Sequence, residues 1–212
     1  MRSILIAALM IVLAGCASTG IAVREALGNP KREQLVERVQ KARDDQQEAK
    51  EQFSSALDEF LALTSADTGD LEKTYERLKK ELTRSESQAE TVRDRIRDVE
   101  RVAGALFKEW NAELKQYHSE DLRRSSQQQL DRTKERYEEL LEAMKSAEAR
   151  MQPVLDAFND QVLFLKHNLN ARAIASLDRE VASVQSDVAR LIDEMNASIE
   201  EANAFIADMA GE

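Results

Sequence analysis

One thiol, two imidazoles and a large stock of carboxylates are the groups with which this chain of 212 residues has to do chemistry. The thiol, Cys16, is the only cysteine, so no disulfide can form within the chain and stability has to come from its core. The imidazoles, His118 and His167, fall at opposite ends of one long helical pattern, about 70 Å apart at roughly 1.5 Å per residue. They are too distant to share a metal or a proton. Neither belongs to a Glu-x-x-His or His-Glu-x-x-His pair, and the chain holds no Gly-x-Ser-x-Gly elbow. Each is read as a helix-end residue, favourable beside C-terminal carbonyls. Among the carboxylates, Glu180, Asp187, Glu194, Glu201 and Asp208 recur every seventh position. That edge is either a solvated flank that discourages wrong helix pairings or an electrostatic guide for a basic partner. Arg93, Arg97 and Arg101 make a shorter stripe, diluted by Asp94, Asp98 and Glu100. The inventory points away from an enzyme, and no catalytic residue, metal or cofactor is expected.

What precedes Cys16 gives the thiol a different role. Met1-Arg2-Ser3 is a charged start, Ile4 to Leu13 an apolar run, and Ala14-Gly15 a small-residue approach to the cysteine. This is the layout of a secretory signal. Leu13-Ala14-Gly15-Cys16 looks like a bacterial lipobox, which implies removal of residues 1–15 and diacylglycerol, with palmitate-type acyl chains, on Cys16. Two alternatives stand beside it. A cut after Ala17 would leave a soluble periplasmic protein. An uncleaved span would need about twenty apolar residues, and the run has about ten. Ala17, following the cysteine, is not aspartate; by resemblance to lipoprotein sorting in enteric-type bacteria this favours the outer membrane, facing the periplasm. Residues 16–29 are then a lipidated tether and 30–212 the folded part. Loss of Arg2 leaves 29 Lys and Arg against 40 Asp and Glu. Such a chain is repelled by nucleic acid and anionic headgroups, so membrane attachment has to come from lipid.

The folded part has to be helical. Aromatic residues are 5% of the chain and charged ones 33%, with six Gly and two Pro. A mean hydropathy of −0.52 alone would fit disorder, but the apolar positions are regularly spaced. Asn29-Pro30 is expected to open the first helix, whose seam alternates three and four residues: Leu35, Val39, Ala42, Gln46, Ala49, Phe53, Ala56, Phe60, Leu63. Residues 64–69 break it, and Asp70 is the expected cap of a second seam. That seam runs from Leu71 and Tyr75 through Leu78, Leu82, Ser85, Ala89, Val92, Ile96, Val99, Ala103, Leu106 and Trp110 to Leu114 and Tyr117. After a break at His118-Ser119, the third follows Leu130, Thr133, Tyr137, Leu140, Met144, Ala147, Met151, Val154, Phe158, Gln161 and Leu165, with Pro153 read as a kink. A fourth resumes one residue out of phase at Ile174 and runs to Met209. A tight hairpin at His167–Asn170, with Asn168 left-handed and Asn170 capping, accounts for the shift; one unbroken helix with a phase defect is the alternative. Val102, Phe107, Leu141, Leu155, Val162, Ile192, Ile199 and Ile206 widen the seams beyond a two-stranded stripe. The fold class expected is all-α: an elongated antiparallel bundle of about four long heptad-patterned helices.

Three stretches carry a resemblance: Lys31-Arg32-Glu33-Gln34-Leu35-Val36-Glu37-Arg38-Val39, Leu122-Arg123-Arg124-Ser125-Ser126, and most specifically Asp160-Gln161-Val162-Leu163-Phe164-Leu165-Lys166-His167-Asn168-Leu169-Asn170-Ala171-Arg172. On them, nearly everything after Gly28 resembles a family of Gram-negative coiled-coil lipoproteins known only as a domain of unknown function. The resemblance implies a helical fold and an envelope location, and supplies no activity. Its members can carry the label of DNA-repair ATPase. This chain has no Gly-x-x-x-x-Gly-Lys-Ser/Thr loop to cradle a phosphate, which rejects that label. Val162-Leu163-Phe164-Leu165 is apolar around the whole helix. Val162, Leu163, Phe164 and Leu169 are therefore candidates for a protein contact at the bundle end far from Cys16, unless the 64–70 loop folds over them. The expected function is a lipid-anchored structural or protein-interaction rod that projects into the periplasm, with an envelope protein or a second copy as partner. The alternative is a carrier whose bundle opens to hold an apolar ligand such as lipid, with Ala42, Ala49 and Ala56 leaving space for it. Neither role calls for nucleic acid or a small-molecule substrate.

Overall fold

A computed structural model describes residues 20–21, 24–25, 28–64, 71–168, 177 and 179–211. Four long helices account for nearly all of them: α1 (Lys31–Thr64), α2 (Leu71–Glu113), α3 (Glu120–His167) and α4 (Val181–Gly211), with a 3-10 turn at Leu114–Gln116. No strand occurs among the described residues. Each helix packs on two others, α1 on α2 and α4, and α3 on α2 and α4, closing a ring.

Side-chain pairs give the directions. Along α1 and α2 the partners run Lys31 to Glu109, Arg38 to Asp98, Asp45 to Arg95, Gln52 to Glu81 and Glu59 to Arg77, one sequence number rising as the other falls. The same holds for α2 and α3 (Trp110 to Ser126, Lys145 to Glu100, Arg93 to Glu148). It holds again for α3 and α4 (Arg136 to Asp208, Ser146 to Glu194) and for α1 and α4 (Arg43 to Asn203, Lys50 to Asn196). The chain is an antiparallel, up-down-up-down four-helix bundle.

Burial follows the heptad seams closely. In α3 every seam position except Tyr137 is buried, and Leu155 and Val162 join from the flank. In α2 Thr74 turns inward where Tyr75 was expected, leaving Tyr75 half-buried against the core. α4 adds Ser198, which the apolar reading passed over. Its hydroxyl donates to Gln46 Oε1 at 2.9 Å, so the one polar break in the α1 seam is answered across the core. α3 continues through Pro153, which sits on the exposed side of the helix.

Three helix ends differ from expectation. α1 begins at Lys31 with Pro30 O accepting the first bond from Gln34 N–H, so Pro30 stands at the cap and not Asn29. Asn29 is recruited instead into a turn in which its N–H donates to Arg24 O and Gly28 adopts φ +88°. At the end of α3, Asn168 stops the helix without a left-handed backbone (φ −134°); its N–H donates to Leu165 O and its side chain to Phe164 O at 2.8 Å. α4 starts at Val181, after a turn at Arg179-Glu180 closed by Glu180 N–H to Leu177 O, which interrupts the expected fourth helix. Leu177 is buried as the seam required. The Asp70 cap, Ile174 and Asn170 lie outside the described residues. Ser119 does cap α3, accepting from Leu122 N–H at 3.4 Å.

The helices are unequal. At the end where α1 begins and α4 stops, α2 and α3 run on past Glu109 and Arg136 as a two-helix stub, held by buried Leu114 and Leu130 and by Trp110 Nε1 donating to Ser126 Oγ.

Candidate functional site

The sides of the bundle are covered in pairs of opposite charge. Arg93 meets Glu90 and Glu148, Arg97 meets Glu90 and Asp94, and Arg101 meets Asp98, so the arginine stripe is spent within its own surface. The acidic edge of α4 lies along α3. Glu194 accepts from Ser146 and faces Arg150, Asp208 faces Arg136, and Asp187 pairs with Arg190 in its own helix. Glu194 and Asp208 thus work as interhelical flank pairs, and Asp187 as a pair within α4. His118 and His167 lie before the first residue and at the last residue of α3, as their spacing requires. Among the described residues no three His, Cys, Asp or Glu side chains are grouped to hold a metal, and no helix is long and apolar enough to cross a membrane.

Large apolar side chains reach solvent at the two ends. At the stub they are Tyr117 (41% exposed) and Leu122 (61%); at the end of α3 they are Leu163 (53%) and Phe164 (39%). The α3 end is built so that its phase cannot hide both faces. Gln161, Val162 and Leu165 fill the inner face, Val162 being only 7% exposed, and a helix that buries these must turn Leu163 and Phe164 outward. Of the candidate contact residues, Leu163 and Phe164 therefore present surface, while Val162 belongs to the core. Leu169 and Cys16 lie outside the described residues. Exposed Lys166 and His167 rim the patch.

Two features were not legible beforehand. Leu122 stands eight positions ahead of Leu130, outside any seam, on the part of α3 that runs past the ends of α1 and α4. A surface cleft of about 530 Å³ opens where α4 ends against α3, with Thr133, Phe205 and Met209 at its apolar floor and Arg132, Arg136 and Asp208 around it. Ala42, Ala49 and Ala56, by contrast, are fully buried between helices.

No curated protein and no solved structure matches this chain. One family profile does, across residues 21–209, and its description is a protein of unknown function (DUF2959). With the match spanning almost the entire bundle, the chain belongs to the DUF2959 family of proteins of unknown function.

Proposed function

We propose that this protein is an outer-membrane lipoprotein, anchored by lipid on Cys16 and facing the periplasm, whose rigid helical rod acts by protein contact and carries out no reaction of its own. The observation that carries the contact reading is the apolar pair Leu163 and Phe164, exposed at one end of a rod whose flanks are covered with ion pairs. A few apolar anchors commonly dominate an interface. The signal-like residues 1–15 and the lone Cys16 support the anchored location.

Two substitutions test it. Cys16→Ser blocks lipid attachment, so the chain leaves the outer-membrane fraction or stalls in maturation and loses metabolic palmitate labelling; unchanged fractionation without label defeats the anchor. Leu163→Glu leaves helicity and melting temperature close to wild type, since an exposed site has little packing to lose, and abolishes a photocrosslinked partner or self-association. A strong drop in melting temperature with an unchanged crosslink pattern defeats the tip.

A second reading, a carrier for an apolar ligand, rests on the cleft at the end of α4. Its apolar floor suits an apolar chain, under a rim of mixed charge in which Arg136 is already paired with Asp208 and Glu139. Lipid extraction and mass spectrometry of the purified protein separates it from the first: a stoichiometric bound lipid lost on Phe205→Ala supports the carrier.

A further inference from the structure

The anchored reading combines with an observation that sequence alone did not offer: part of the expected tether is docked. Ile21 is buried, its carbonyl accepts from Gln34 Nε2 at 3.2 Å, and Gly20 and Ile21 lie with Arg38, Asp98, Arg101 and Val102 on the face shared by α1 and α2. Further along, Arg24 pairs with Glu37, and Lys31 joins Glu25 to Glu109. The segment therefore runs alongside the bundle toward the stub end, and the turn at Gly28 reverses it into α1. Gly28 N–H donates to Glu25 O at 2.9 Å, a reversal whose positive φ suits glycine.

This docking limits how far Cys16 can stand from the bundle. Between Cys16 and Gly20 there are four peptide steps, which span at most about 14 Å in any conformation. Gly20 and Ile21 share a cleft with Gln34, Arg38 and Asp98, Arg101 and Val102 of α2, so at about 1.5 Å per residue the stub turn at Tyr117 lies about 20–25 Å beyond them. The opposite end, at Leu71, lies about 40 Å away by the same rise. A rod upright on either end would hold Gly20 farther from the bilayer than the tether reaches. Sinking the stub to make up the difference would bury Glu120, Asp121, Arg123 and Arg124, all exposed, in the hydrocarbon, at high cost.

On this basis, and resting on lipidation of Cys16, we infer that the rod lies lengthwise on the membrane, with the α1–α2 face toward the lipid headgroups and the α3–α4 face toward the periplasm. The charge distribution agrees. α1 and α2 together carry sixteen Lys and Arg against eighteen Asp and Glu, whereas α3 and α4 carry nine against sixteen. In a ring of four helices these two faces are opposite, so the more acidic one is turned away from an anionic surface. Leu163 and Phe164 then meet a partner travelling along the same membrane, and not one reached by spanning the periplasm. This departs from a rod that projects off the membrane.

The experiment uses the full-length lipidated protein in supported bilayers of phosphatidylethanolamine and phosphatidylglycerol, with the height of the protein layer read by neutron reflectometry. A lying bundle gives a layer about 20–30 Å thick, and a standing one about 70 Å. Ile21→Asp should undock the segment and lengthen the free tether to about fourteen steps, close to 50 Å of chain; the layer then thickens while helicity stays that of wild type. Inserting ten Gly-Ser residues between Ser18 and Thr19 should do the same with Ile21 in place. A wild-type layer near 70 Å on a chain shown by mass spectrometry to be lipidated overturns the orientation and leaves the anchor intact. A thin layer in wild type that neither variant thickens overturns the tether as its cause. Absence of lipid on Cys16 overturns the anchored reading, and the orientation with it.

Discussion

Tyr137 is the α3 seam residue that the core does not fully accept, and its hydroxyl records a position between core and solvent. Its ring meets Phe107 edge-on at 5.4 Å between centroids, and Lys134 lies 5.9 Å from the Phe107 centroid. Burial, reinforced by the Glu100 and Glu138 charges, pushes the phenol up to about 12. The folded state thus holds the phenolic proton more tightly than the unfolded chain, which releases it near 10. The associated stability is fully present below about pH 10 and is lost as the pH rises toward 12. Thermal melts of wild type and Tyr137→Phe should run parallel from pH 7 to 9, and the wild type should fall away more steeply above pH 10. Parallel alkaline limbs would contradict this.

A second residue-scale feature is Gln46, fully buried, with Oε1 accepting from Ser198 and Nε2 unpartnered among the described groups. A buried amide left without its hydroxyl costs about 1–3 kcal/mol. Ser198→Ala should therefore destabilise by that order in urea unfolding, and adding Gln46→Leu should recover most of the loss, since replacing both polar partners removes the unmet demand. If Gln46→Leu with Ser198→Ala is as unstable as Ser198→Ala alone, the pair is not what stabilises this layer.

At the scale of the helix, register is the property under test. α4 buries Val184, Val188, Leu191, Met195, Ser198, Ala202, Phe205 and Met209 and leaves Gln185 exposed. Val184→Asp places an unpaired carboxylate in the core and should cost several kcal/mol, while Gln185→Asp, one position on, should stay within about 0.5 kcal/mol of wild type. Equal losses in chemical denaturation would mean that the seam is misplaced. Helix ends were harder to read than helix interiors, for a reason visible at Asn29. Its side chain donates to Glu37 and its N–H to Arg24 O, so tertiary contact with the docked segment outweighs its preference for capping. Asn168 likewise ends α3 through bonds to Leu165 O and Phe164 O, a local solution that needs no left-handed backbone.

For the molecule as a whole, α3 sets the length: 48 residues at about 1.5 Å each give a rod about 70 Å long. Small-angle scattering of the lipid-free protein should return a maximum dimension of at least this length, with far-ultraviolet circular dichroism overwhelmingly helical. A compact particle near 45 Å would contradict the bundle. What sequence by itself determined was periodic: which side of each long helix is apolar, how many long helices there are, and that neighbours run antiparallel. That information is local, repeated at nearly every heptad, and survives the loss of any one position such as Gln46 or Tyr137. Tertiary structure decided what depends on alignment between helices. The overhang that carries Tyr117 and Leu122, the pairing of Gln46 with Ser198 and the burial of Val162 beside exposed Leu163 arise only once four helices of unequal length are set side by side. The same is true of the docking of Ile21, because a short apolar residue in a tether shows no period to reveal which groove will take it.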